Sequence, residues 1–371
     1  MSAKVENLIR KEVLQLNAYH VPNPGEMIKL DAMENPYKMP DALMDEWLSL
    51  VKQAEINRYP DPAASKLSAA LETYMGVPQK NSSGVKNKII LGNGSDELIQ
   101  IMAMAVAQSN KKILAPEPGF VMYNMIATFV GMQYIGVPLK NDFSLDMPAM
   151  LEAIKTHQPA LIFLAYPNNP TGNLFADDDI VKIIEVAEGL VVVDEAYHPF
   201  ACESFMPRLG EFDNLLVMRT VSKMGLAGLR LGLLAGAEKW ISELDKIRLP
   251  YNINILTQVT AEFAIKHADV FEQQARIIRE QRDWLFEKLS DFSQFNVYPS
   301  RANFILLKVL KGDASTIFEG LKSRGVLIKN SHSAGGVLTQ CLRVTVGKPE
   351  ENQALVAALK ECVNITAVPL T

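Results

Sequence analysis

The run Thr220-Val221-Ser222-Lys223-Met224-Gly225-Leu226-Ala227-Gly228-Leu229-Arg230 places a lysine where an apolar stretch gives way to a glycine-containing turn. An amine attacks a carbonyl well only when it is partly desolvated and close to other cations, because both raise its unprotonated fraction. Arg230 supplies such a cation. A single lysine is far more often a solvated surface charge, so Lys223 gains weight only from its neighbours. In Val191-Val192-Val193-Asp194-Glu195-Ala196-Tyr197, three β-branched residues run into a carboxylate. That puts Asp194 at the C-terminal end of a buried strand, where open α/β sheets bind ligands. There a carboxylate can keep the ring nitrogen of a pyridine cofactor protonated, and Tyr197 can reach a phenolate oxygen. A metal ligand or a helix N-cap is the plainer alternative for Asp194. Tyr166-Pro167-Asn168-Asn169-Pro170-Thr171-Gly172 is stiffened by two prolines, which hold Asn169 in one orientation toward a planar ligand. Leu91-Gly92-Asn93-Gly94-Ser95-Asp96-Glu97 is a glycine-rich strand-to-helix turn, and Gly94, Ser95 and Asp96 make it a phosphate cradle. It is neither GxGxxG nor a P-loop, so dinucleotide and ATP readings fail there.

These segments need strands to end beside one another. From about residue 65 to 236, amphipathic stretches alternate with short apolar runs, the mark of βαβ units. Strands are expected at 88–91, 112–115, 133–137, 160–165, 190–194, 215–220 and 232–235. Helices are expected at 64–75, 96–108, 119–130, 147–156 and 177–188. Most of the strands are apolar on both faces, as in a mainly parallel sheet covered by helices on both sides. Beyond residue 250, one long helix at 257–289 is expected to bridge two domains. Strands at 304–308, 326–329 and 342–346, with helices at 314–323 and 352–363, then form a compact α+β module. The expected division is an N-terminal arm with part of the small domain (1–48), a large domain (49–272) and a C-terminal small domain (273–371).

Composition narrows the class. A net charge of −5 with scattered basic residues argues against nucleic acid. Cys202, Cys341 and Cys362 are an odd number without metal-ligand spacing, so neither a disulfide framework nor a metal site is expected, and a reducing cytoplasm fits. Neither a signal peptide nor a membrane-spanning run is evident. His20 and His198 lie near the candidate segments but form no metal-ligand pair, and the methionines at helical spacing read as core.

Taken in order, GNGSDE (92–97), PEPGFVMY (116–123), PNNPTG (167–172), DEAY (194–197) and SKMGLAGLR (222–230) resemble the signature set of the fold-type-I pyridoxal-phosphate aminotransferases, over the whole chain. Within that set, LDAMENPY (30–37), NRYPD (57–61) and CLRVTVG (341–347) resemble the histidinol-phosphate aminotransferases. The resemblance implies an α/β fold with a large domain around a mainly parallel sheet and a smaller α+β domain. It implies pyridoxal 5′-phosphate on Lys223, with Asp194, Asn169 and Tyr197 around the ring and Tyr123 stacked on it. Ser95, Asp96, Ser222 and Arg230 would hold the phosphate. Tyr59 would reach the cofactor phosphate of a neighbouring subunit, making a homodimer. Arg343 would bind the substrate anion, with Tyr19, Asn35 and Lys329 also facing substrate. The implied substrates are histidinol phosphate and 2-oxoglutarate, the latter giving glutamate. An aromatic amino-acid aminotransferase and a threonine-phosphate decarboxylase on the same scaffold are the rivals. Two departures stand out: Arg230 follows Lys223 by seven residues where many relatives have eight, and Lys329 replaces an arginine, giving a point charge without the bidentate fork.

Overall fold

A computed structural model describes residues 3–18, 21–80, 84–108 and 110–366. Its larger sheet has seven strands in the order Asn87–Asn93, Leu231–Ala237, Leu215–Thr220, Leu190–Asp194, Leu161–Ala165, Lys112–Glu117 and Gln133–Pro138. Only Leu231–Ala237 runs against the others. Every residue of the four strands Leu161–Ala165, Leu190–Asp194, Leu215–Thr220 and Leu231–Ala237 is buried. The reason is two-sided cover. Ile162, Leu164, Val191, Val193 and Val217 join one apolar cluster, while Leu161, Phe163, Val192, Leu216 and Met218 join another on the opposite face. Each such side chain contributes about 1.5–3 kcal/mol of burial.

The smaller sheet has five strands, in the order Ile28–Leu30, Val326–Asn330, Cys341–Thr345, Phe304–Val309 and Phe295–Val297. Ile28–Leu30 and Phe295–Val297 were not expected. At three residues each they are too short to show an alternating pattern, and pairing partners create them. Leu30, Val326, Ile328, Leu342 and Val344 pack the small core, whereas Leu306 and Cys341 join the large cluster. The small sheet is thus buried on both faces.

The expected single helix over 257–289 is two, Ile255–Lys266 and Ala268–Ser290, broken at His267 with φ −113° and ψ 35°. His267 packs its ring on Phe263, and its N–H reaches the carbonyls of both Phe263 and Ala264. Along the second helix the core changes hands: Phe271 belongs to the large cluster, Ala275 and Ile278 to the small one. No described helix is long and apolar enough to cross a membrane.

Candidate active site

The register aligns the strand ends that matter. Ala165 pairs with Asp194, Asp194 with Met218, Thr220 with Gly232, and Asn93 with Leu231. Four chemically loaded segments therefore leave the sheet along one edge. They surround a cavity of about 390 Å³ whose walls include Ser95, Asp96, Asn169, Asp194, Tyr197, Ser222, Lys223 and Arg230.

Lys223 sits in a short 3-10 turn, Ser222–Met224, and Gly225 behind it has φ +118°. Burial pushes the Lys223 amine down to about 8, and the nearby Arg343 guanidinium adds to the shift. Its Nζ lies 5.7 Å from the centre of the Tyr197 ring. Asp194 is buried, receiving the Tyr123 hydroxyl at 2.7 Å on Oδ2 and the Ala196 N–H at 3.1 Å on Oδ1. Desolvation raises its carboxyl to about 6 against those hydrogen bonds. Asn169 donates to the Tyr197 hydroxyl at 3.2 Å and accepts from Arg343 Nη1 at 2.7 Å. Arg343 also donates to the Asp31 carbonyl at 2.9 Å, and its bond to Asn169 ties the small sheet to the large domain.

At the cradle, Gly94 has φ +84° and ψ 169°, a region essentially reserved for glycine, and opens the helix Ser95–Val106. A Cβ at Gly94 would lie 2.5 Å from Arg230 Nη2, so the missing side chain is what lets the guanidinium approach. Arg230 also pairs with Asp96 at 3.1 Å. Its seven-residue offset from Lys223 is absorbed by a second 3-10 turn, Ala227–Leu229, with Arg230 itself at φ +50°. Ser222 is buried, its hydroxyl 2.9 Å from that of Thr220.

Several expected residues lie elsewhere. Tyr123 does not wall the cavity. Its ring stacks on Phe163 at 4.6 Å with Phe120 edge-on at 5.5 Å, and its hydroxyl is taken by Asp194. Phe120, three residues earlier in the same string, lines the cavity instead. This corrects the stacking role expected of Tyr123, whose place is behind Asp194. Asn35 is likewise corrected: its amide donates to Met224 O at 2.8 Å and Gln274 at 3.0 Å, and its Oδ1 accepts the Tyr37 N–H at 2.8 Å. With its polar atoms so engaged it is a tie beneath Lys223, and the N-terminal wall comes from Ala32, Met33 and Glu34. Lys329 is exposed, directly across the sheet ladder from Arg343, and is not a cavity wall. Tyr59 is 80% exposed, stacked on Tyr251 at 4.5 Å, and outside the cavity. Tyr19 lies outside the described residues. Glu195 turns away from Asp194 into a buried ion pair with Arg219 at 2.8 Å, so the two adjacent acids serve opposite sides of the strand.

Residues 25–359 match the family model for class I and II aminotransferases. The chain is 53% identical to histidinol-phosphate aminotransferase 2 of Nitrosococcus oceani, covering 96% of this chain and 98% of the relative. It is 49% identical to the histidinol-phosphate aminotransferase of Chromobacterium violaceum, covering 97% and 99%. In fold it is similar to the histidinol-phosphate aminotransferase of Sinorhizobium meliloti in complex with pyridoxal-5′-phosphate, with a TM-score of 0.83, 23% identity and coverage of 97% and 98%. The chain belongs to the class I and II aminotransferase family.

Proposed function

We propose that this chain is a pyridoxal-phosphate-dependent transaminase that converts histidinol phosphate and 2-oxoglutarate into imidazole-acetol phosphate and glutamate. The observation that carries the reading is the meeting of Lys223, Asp194, Asn169 and Tyr197 on one cavity that has a phosphate cradle at its edge. The residues fit the cofactor. Gly94 leaves the space that Arg230 enters, and a buried carboxylate waits at a strand end. When bound, pyridoxal 5′-phosphate supplies an electron-withdrawing ring that stabilises negative charge at the substrate Cα.

The chain's own residues do the rest. Asp194 holds a positive ring nitrogen, with Tyr123 fixing the orientation of its carboxylate. Asn169 and Tyr197 address the ring oxygen. The Ser95 N–H at a helix N-terminus, the Ser222 hydroxyl and Arg230 hold a phosphate. Lys223 tethers the cofactor and then takes the proton from the substrate Cα, a task suited to an amine with a pKa near the working pH. Arg343 presents a planar guanidinium for the substrate anion, and Lys329 adds a cation on the same sheet face. The exposed Tyr59 and its apolar neighbours fit a homodimer in which Tyr59 reaches a second copy's site. Cys202 and Cys341, neither in a disulfide, accord with a reducing cytoplasm.

Purified enzyme assayed with histidinol phosphate, phenylalanine and threonine phosphate tests the substrate. The highest kcat/KM is expected for the first, and negligible turnover of it alongside good turnover of another overturns the assignment. Lys223→Ala is expected to abolish transamination and the visible absorbance of the bound cofactor. Survival of both refutes the role of Lys223.

A further inference from the structure

A second cavity of about 290 Å³ lies behind the turn that carries Lys223, between the start of the helix Ala268–Ser290 and residues 198–202. Thr220 lines both cavities, and its hydroxyl accepts the Ser222 N–H at 3.1 Å. The charges around this space are not balanced. Arg219 is fully engaged by Glu195, the Met75 carbonyl and Ser204. Arg279 gives one guanidinium nitrogen to the Pro199 carbonyl at 2.6 Å. Arg276, three residues before it on the same helix face, lines the cavity and has no hydrogen-bond or ion-pair partner among the described residues. Glu272, one turn earlier, lines the cavity beside Tyr74 and offsets one of these two cations. His198 is held neutral by burial, its pKa pushed down to about 4. One positive charge is left over, facing a wall of Met75, Met224 and Phe271.

We propose that this cavity binds a small organic monocarboxylate, its carboxylate on Arg276 and Arg279 and its apolar body against Met75, Met224 and Phe271. A guanidinium presents the fork that a carboxylate matches, and the volume is that of a small-molecule site. A dianion such as inorganic phosphate would meet Glu272 with only one net charge in its favour. The bound molecule would rest on Thr220, the residue that also braces Ser222 in the neighbouring cavity.

The site carries its own reporter. Cys202 lines the cavity and is exposed, whereas Cys341 and Cys362 are buried. The experiment follows modification of Cys202 in the holoenzyme by uncharged methyl methanethiosulfonate, with benzoate or inorganic phosphate as the probe. Saturating benzoate is expected to slow labelling about tenfold in the wild type and hardly at all in Arg276→Gln. Phosphate is expected to give no protection. Arg276→Lys, which keeps the charge but not the fork, should retain part of the benzoate effect and guards against a folding defect in the glutamine variant. Absence of benzoate protection in the wild type, equal protection in Arg276→Gln, or protection by phosphate as strong as by benzoate overturns the proposal.

Discussion

Near neutral pH the cavity holds two groups whose charged forms burial disfavours: Asp194, raised to about 6, and Lys223, lowered to about 8. A carboxyl whose folded pKa lies above its unfolded value weakens the fold once it ionises. For Asp194 that loss grows between pH 3.8 and about 6 and is complete above. Two pKa units correspond to about 3 kcal/mol at most. Asp194→Asn is therefore expected to stabilise the cofactor-free protein by about 2 kcal/mol at pH 7, with the gain gone below pH 4. Urea unfolding at the two pH values checks this, and the same variant should lose nearly all activity. For Lys223 the sign is reversed: protonation weakens the fold fully below about 8 and ceases to matter by about 10.5. Cofactor capture by the apoenzyme should rise with pH through a midpoint near 8. Arg343→Met removes the second cause of the shift, so it should move that midpoint upward in a stopped-flow pH series; a midpoint that stays put assigns the shift to burial alone. Lys223, Asp194, Asn169 and Tyr197 were legible because each stands at a strand end or in a stiff loop, where local pattern dictates direction. Tyr123 and Phe120 were not separable, since they are three residues apart in one string and only packing against Phe163 decides which of them faces the cavity. Asn35 was misread for a similar reason, because its partners Met224 and Gln274 are remote in sequence.

At the level of the element, the cradle depends on a close approach between one turn and a side chain from another, the Ala227–Leu229 turn that ends at Arg230. Gly94→Ala places a methyl 2.5 Å from Arg230 Nη2 and forces a side chain into a backbone region it rarely adopts. The backbone strain is about 1–3 kcal/mol, and Arg230, being the end of a flexible chain, will give way. The expected outcome is a folded protein whose cofactor dissociation constant rises at least about tenfold, for one lost charge-assisted contact. Equilibrium dialysis measures it, and unchanged affinity would separate Arg230 from the phosphate. Most of the large-sheet strands were readable because a buried parallel strand is a short continuous apolar run. The break at His267 was not, because neither glycine nor proline marks it. The three-residue strands were invisible for the opposite reason, since Ile28–Leu30 has no pattern of its own and exists by pairing with Val326–Asn330.

For the whole molecule, the question is whether an exposed tyrosine outside its own chain's cavity serves a second copy. Tyr59 is 80% exposed, and Ile56 and Leu249 beside this face are 77% and 71% exposed. Apolar groups so open are unusual for a monomer when they cluster, and a two-fold copy would cover them. If Tyr59 completes the partner's phosphate site, the defect of Tyr59→Ala and that of Lys223→Ala fall in the same active site of a mixed dimer. Refolding the two inactive variants together then creates one dimer in which a single site has both an intact Lys223 and an intact Tyr59. With random pairing half of the dimers are mixed, and each has one good site of two, so activity should return to about a quarter of the wild-type value. If Tyr59 instead served its own chain, both sites of every mixed dimer would remain defective, and the mixture would show no more than the sum of its parts. Sedimentation of each variant alone supplies the control: Tyr59→Ala must still form dimers for the comparison to bear on the site rather than on assembly.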